Sequence, residues 1–381
     1  VDCKYVSIKE LPSSLEQIHE MAEMIERNEL SQDKYNITDV SQDEMKETVL
    51  NWYTPISENE ILVEYWEIMR ESDKCILHTN FVSQSKIIRG VESPNVGSIK
   101  SVSIVDPLYK SGRDVWIFKD LEEDTILIYN QKYKKLDNQS YLEEYEIPSI
   151  ALVHAFRTPS GIPNINVKNL RDFLIIAEFP KIKEVLASYI DKSKGDIKLN
   201  FLKKWVPHCE RRSSNLFHSR RVNLSAPGTK LLGFYSSPLR VPTKLLWSIR
   251  EQDEETAKII ALWYNSSFHL LQILINRIET EGAFIEIGKY TFKSFRIIDP
   301  YAINSEEKKQ LINLFESIEE IEFPSILEQL KSHFKWRVKI DDIFLKLFGV
   351  VDKEKRHKRG KILREELYRE IMNLKNVMKG H

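Results

Sequence analysis

NSSFHLLQILINRIETEGAFIEI, Asn265 to Ile287, decides how the chain is read. Small polar residues open it, a dense aliphatic run follows, and an Arg-Ile-Glu-Thr-Glu-Gly turn leads into an alternating stretch. The residues before it, from Glu254, carry the same apolar density. EETAKIIALWYNSSFHLLQILINRI is therefore expected to form one long, mostly buried helix. Gly282 marks a turn, and AFIEI sets Ala283, Ile285 and Ile287 on one side, the period of a strand. A plain core helix does not need Asn265, Ser266 and Ser267 inside it. They pose the question of whether this unit builds a core, a catalytic site or a reading surface.

Working outward, Leu11 to Arg70 reads as helices. Leu15, Ile18, Met21, Ala22 and Ile25 keep a helical period, Ser13 or Ser14 offers a cap, and Ile61, Leu62, Tyr65, Trp66 and Met69 repeat the pattern. From Cys75 to about Leu152 the texture turns β-like. KIIRGV, SVSIVDPLY, RDVWIFKD and DTILIYN are short, β-branched and aromatic, with Gly, Pro, Asn and Asp between them. DIKLNFLKKWV and TKLLGFYSS look extended. After Pro300, Asn304-Ser305 with Glu306 and Glu307 marks a helix start. KIDDIFLKLFGV reads as a helix stopped by Gly349, and Lys361 to Met378 as an amphipathic helix. The expected class is α+β: a mixed central sheet domain over 73–300 between helical flanks over 1–72 and 301–381.

Composition sets bounds. The 381 residues suit two or three domains, and 42% apolar with 10% aromatic residues is ample for a core. The charges cancel, 56 basic against 57 acidic, yet nucleic-acid binding needs only a local basic face. Cys3, Cys75 and Cys209 form no CxxC pair, which fits a reducing, cytoplasmic compartment rather than a disulfide framework. Polar residues interrupt the longest apolar run, so no membrane span is read, and no signal peptide opens the chain. A start on Val rather than Met is expected of a piece cut from a longer polypeptide.

Motifs for chemistry are sparse. DPLY, Asp106 to Tyr109, invites comparison with the acidic-or-Asn, Pro, Pro, aromatic tetrapeptide of amino-group DNA methyltransferases. Leu108 replaces the second Pro, and no Gly-rich cofactor turn lies upstream, so a strand-end turn is the simpler reading. EIGK, Glu286 to Lys289, has one residue too many for an acidic-metal nuclease site. His208, Cys209 and His218 lack a fourth metal ligand at regular spacing. No G-x-S-x-G occurs. The basic residues say more. HCERRSSNLFHSRRVNLSAPGTK gathers Arg211, Arg212, Arg220, Arg221 and Lys230 among Ser, Asn and His, and Lys86, Arg89 and QKYKK lie upstream. Such cations neutralise phosphates, and Arg and Asn can read base edges. KEKRHKRGK near the end reads as an exposed linker between helices.

The order KIIRG, RRVNLSAPGTKLLGFYSS, the Asn-Ser helix, then RIETEGAFIEIGKYTFKSFRIIDP resembles the target-recognition region of adenine-N6 DNA methyltransferases of restriction-modification systems. It also looks like one recognition half of a type I specificity subunit. RVKIDDIFLKLFGV with LREELYREIMNLK is similar to the tail of such methyltransferases, and the likeness covers Ile76 to Met378. It implies a non-catalytic, sequence-specific reader of double-stranded DNA. The methyltransferase catalytic domain, with its S-adenosylmethionine, would lie elsewhere, leaving no cofactor in this chain. Arg89, Arg211, Arg212, Arg220, Arg221 and Lys230 would contact phosphates or bases, and Asn215 and Asn223 would read bases. The Asn-Ser helix would back the recognition sheet: Ser266 and Ser267 pack closely or cap, and Leu270, Leu271, Ile273, Leu274 and Ile278 bury against strands. Two alternatives stand beside this. One is a stand-alone methyltransferase using Asp106 and Tyr109, or a nuclease. The other is an assembly subunit docking through its helical flanks.

Overall fold

The structure, a computed structural model, describes residues 3–8, 14–27, 35–40, 59–82, 86–92, 99–131, 144–187, 199–250, 252–277 and 284–377. The chain starts with β1 (Cys3–Ile8), α1 (Leu15–Arg27), β2 (Tyr35–Val40), α2 (Glu60–Glu71), β3 (Cys75–Leu77), α3 (His78–Phe81) and β4 (Ile87–Arg89). A strand-rich block follows with β5 (Ser103–Val105), β6 (Trp116–Glu122), β7 (Thr125–Asn130), β8 (Glu144–Pro148), β9 (Leu152–Phe156) and β10 (Phe173–Ile175). Helices α4 (Ile182–Ala187) and α5 (Leu202–Glu210) lead to β11 (Ser214–Ser219), β12 (Arg221–Asn223), β13 (Gly233–Pro242) and β14 (Leu246–Ile249). Next come α6 (Glu254–Tyr264), α7 (Ser267–Ile275), β15 (Phe284–Glu286), α8 (Lys289–Ser294) and β16 (Arg296–Ile298). The last helices are α9 (Ser305–Ile318), α10 (Ile326–Lys331), α11 (Lys335–Leu347) and α12 (Lys353–Val377).

Ten strands form one mixed sheet in the order β4-β14-β11-β13-β9-β10-β5-β6-β7-β8. The class is α+β. One core gathers α2, β11, β13, α6, α7 and the C-terminal helices; a second fills the strands β5 to β10 and the helices α4 and α5. The parallel pairing of β13 with β9, Val241 opposite Ala155, carries the sheet from one core to the other. Among the described residues no helix is long and apolar enough to cross a membrane.

The expected long helix is in fact two. α6 stops at Asn265, and α7 starts after Ser266, which takes an extended backbone and accepts a bond from the His269 amide at 3.1 Å. Asn265 accepts from the Leu232 amide at 2.8 Å and donates to the Gly233 carbonyl at 2.7 Å, tying the break to the start of β13. The Ser267 amide and hydroxyl each donate to Asp341 at 2.8 Å, and Arg364 donates to the same carboxylate at 2.8 Å. Arg337 reaches the Asn265 carbonyl and also donates to Gln329 at 2.8 Å. Every one of these side chains is buried, so the helix break is held by a closed polar network. The break also divides the labour. α6 packs on β11 and β13, whereas α7 packs on α2, α11 and α12, not chiefly on strands as expected. Ile278 and the Glu279-to-Gly282 turn lie outside the described residues.

Other expectations need correction. LNFLKKWV is helical: Leu202, Trp205 and Cys209 bury one helical face, and the Trp205 indole donates to the Ile175 carbonyl at 3.1 Å. Tyr35–Val40 is a strand paired with β1 inside a region read as helices. KEKRHKRGK is the start of α12 rather than a linker, since Arg356 bonds Asp342 at 2.9 Å and Arg359 pairs with Glu64 at 3.3 Å. The strands of KIIRGV, SVSIV, DVWIFKD, DTILIYN and AFIEI fall where the alternation places them. So does the capping box of Asn304 with Glu307, and Gly349 ends α11 at a φ of 85°.

Beneath α6 and α7 lies a buried imidazole cluster. His218 and His269 share a 2.7 Å contact between their Nε2 atoms, and His78 bonds the Tyr264 hydroxyl at 2.6 Å. Burial pulls His78 and His218 down to about 3, and His269 well below its ordinary value. Because these folded values are depressed, their neutral forms support the fold above the unfolded value of about 6.5, and that support is lost as pH falls towards 3. Urea midpoints measured between about pH 7.5 and about pH 4.5 should therefore fall more steeply for the native chain than for a His218→Phe/His269→Phe variant. Replacing Asp341 by Ala should cost about 3–5 kcal/mol in the same assay, because Arg364 is left buried without its counter-charge.

Candidate nucleic-acid interface

Sheet pairing brings together arginines far apart in sequence. β4 lies on β14 with Arg89 opposite Trp247, and β14 lies on β11, the strand that runs into Arg220 and Arg221. α5 ends beside them. Arg212 donates through Nε to the Arg89 carbonyl at 3.0 Å and through Nη1 to the His208 carbonyl at 3.1 Å, joining the helix end to the sheet edge. Burial, then the neighbouring Arg211 charge, holds Arg212 below its ordinary value. Arg211 itself is exposed at the helix C-cap. Lys244, which no motif in the sequence singles out, joins the same rim. Its carbonyl accepts from Arg220 Nη1 at 3.1 Å, and its ammonium lies 3.5 Å from Glu92.

Two carboxylates sit among these cations. Glu92 pairs with Arg89 and Lys244. Its slight burial works against the charged form, yet the two cations hold it below its usual range. Glu286 pairs with Arg220 and, at 2.8 Å, with Arg221. Arg220 is nearly buried over the Trp247 ring, 5.9 Å from its centroid, and burial lowers its value. Among the residues named here six cations stand with two carboxylates, so this group carries a net positive charge.

β12 and β15 form a two-stranded antiparallel ladder beside this rim, with Arg221 opposite Glu286, Val222 opposite Ile285 and Asn223 opposite Phe284. Val222 and Ile285 are buried, so the other two pairs face outward. The Ile287 amide donates to the Arg220 carbonyl at 2.8 Å and fixes the ladder to the rim. Lys289 and Tyr290 then stand exposed at the start of α8.

Not every expected residue joins the rim. The Asn215 amide donates to the Gln252 carbonyl at 3.0 Å, and the Lys230 carbonyl accepts from Gln329 at 2.6 Å, which places both on the flanks. Asn223 Oδ1 accepts from the Ser225 amide at 3.0 Å and from the Ser225 hydroxyl at 2.9 Å, which builds the turn after β12. DPLY forms a short 3-10 turn at the end of β5. The Asp106 carboxylate accepts backbone amides from Leu108 at 2.9 Å and Arg171 at 3.0 Å, which is turn-building rather than catalytic geometry. His218 is in the core and His208 lies against Arg212. Among the described residues no group of three or more His, Cys, Asp or Glu is placed to hold a metal ion. Of the QKYKK run, residues 132–135 lie outside the described residues.

These placements separate roles. Arg212→Ala should lose about 1–3 kcal/mol of stability, since it removes bonds that join α5 to β4. Arg211→Ala should leave stability within about 0.5 kcal/mol, because the side chain is exposed. Thermal melts of the two variants check the contrast.

No protein-family model matches the chain, and no curated protein matches it. Among solved structures it is similar to the type IIG restriction endonuclease BpuSI, with a TM-score of 0.53 and 15% identity. The match takes in 97% of this chain and 40% of that one, so this chain has the fold of less than half of a restriction endonuclease.

Proposed function

We propose that this chain recognises double-stranded DNA by sequence. In this reading it is the specificity portion of a restriction-modification adenine-N6 DNA methyltransferase, with the catalytic domain and its S-adenosylmethionine outside it. One observation carries the DNA reading: arginines from separate segments, Arg89, Arg211, Arg212, Arg220 and Arg221, converge on one positive rim beside an outward-facing two-stranded ladder. Duplex DNA needs both parts. Cations neutralise the phosphates, and a two-stranded ribbon fits the major groove, where base edges differ. The shared fold with a part of BpuSI supports the restriction-modification setting, and the order of sequence motifs supports adenine as the target base. Such an assembly works in the cytoplasm, in keeping with the buried free thiols of Cys75 and Cys209.

The rim's side chains divide into two classes. Arg211 and Lys244 are exposed, as phosphate contacts must be, with Lys244 held loosely at 3.5 Å from Glu92. Arg212 and Arg220 are held by backbone carbonyls and position the surface rather than grip the ligand.

Fluorescence anisotropy with a labelled duplex pool tests this reading. Log affinity should fall linearly with log salt between about 50 and about 200 mM, and Arg211→Ala or Lys244→Ala should each flatten the slope by about 0.9. A salt-independent affinity, or slopes unchanged in both variants, would remove the rim from the account.

A further inference from the structure

The outer face of the β12–β15 ladder holds a guanidinium and a carboxylate side by side. Arg221 and Glu286 are direct cross-strand partners, 2.8 Å apart from Nη2 to Oε2, with side chains 42% and 32% exposed. Arg220 holds the other Glu286 oxygen, and its own Nη1 is fixed to the Lys244 carbonyl. The carboxylate is thus oriented before any ligand arrives.

We propose that Arg221 and Glu286 together read one G·C base pair in the major groove. This rests on the DNA-recognition reading above and assigns its first base contact. Guanine offers two acceptors, N7 and O6, on its groove edge, and its paired cytosine offers the N4 amine as a donor. Arg221 supplies donors and Glu286 supplies an acceptor side by side, the two kinds of partner that one G·C edge requires. Each side chain keeps capacity for this. A carboxylate has about four lone-pair sites, of which two are taken here, and a guanidinium has five N–H groups in a fixed fork. An A·T pair in the same place would set the thymine O4 acceptor or methyl group against one of the two side chains.

The position of Glu286 favours reading over simple neutralisation. A surface that only grips phosphates is weakened by a carboxylate, which repels them. Glu286 is nevertheless fixed by two arginines at the outward face of the element best shaped for a groove. Glu92, the other carboxylate of the rim, pairs with Arg89 and Lys244 and lies off the ladder.

Selection of bound duplexes from a randomised library, run with the full chain and with Glu286→Gln, tests the proposal. The native chain should enrich a motif containing a fixed G·C position. Glu286→Gln should bind random duplex at least as tightly, while its preference at that one position falls about tenfold and the rest of the motif persists. Arg221→Gln, which leaves Glu286 paired with Arg220, should lose preference at the same position and serves if Glu286→Gln does not fold. Motifs from both folded variants that keep every G·C preference of the native chain would overturn the assignment. A native chain that binds duplex without enriching any motif would overturn sequence-specific recognition itself, a different failure from the first.

Discussion

A single buried carboxylate, Asp341, ties the break between α6 and α7 to the C-terminal helices α11 and α12. It receives both the amide and the hydroxyl of Ser267 and the guanidinium of Arg364, and none of these groups reaches water. Arg337 completes the joint by bonding the Asn265 carbonyl and Gln329. A hydrophobic replacement would pack here without such directional demands. The charged knot instead fixes one orientation of α7 against α11 and α12, because each donor has one acceptor to reach. From that joint α6 runs along β11 and β13, and the chain beyond α7 returns as β15 beside β12. The ladder itself is fixed to the sheet edge by the Ile287 amide on the Arg220 carbonyl.

Much of this architecture is legible in the residues. Alternation in KIIRGV, DVWIFKD and DTILIYN marks strands, and the Asn304–Glu307 box and Gly349 mark helix ends, because those signals are local. The break at Asn265 is legible only in part. Ser266, read as packing or capping, does cap α7, whereas the partners that fix the break, Leu232, Gly233 and Asp341, are distant in sequence. LNFLKKWV misleads for a related reason: a short segment fits both periods, and only the docking of Trp205 on Ile175 selects the helix. Tyr35–Val40 has a strand's composition, but its pairing with β1 is a long-range fact.

The candidate site divides the same way. A run such as HCERRSSNLFHSRR shows that cations are dense, not which are structural. Arg212 and Arg220 turn inward to carbonyls, whereas Arg211 and Arg221 face out. Lys244 carries no signal of its own, because it lies outside the dense basic run and reaches the rim through the pairing of β14 with β4 and β11. Glu286 invites a metal-ligand reading by its neighbours in sequence, when its partners are Arg220 and Arg221 across the ladder. In the proposed account of DNA recognition, the sheet edge supplies charge and the small ladder supplies pattern.

Hydrogen exchange of the full chain with and without duplex DNA tests that account most directly, since it needs no substitution and reports every backbone segment. Protection on DNA binding should gather over residues 87–92, 211–223, 243–247 and 284–290. Protection that falls on residues 116–130 or 353–361 instead, with the rim unchanged, would contradict it.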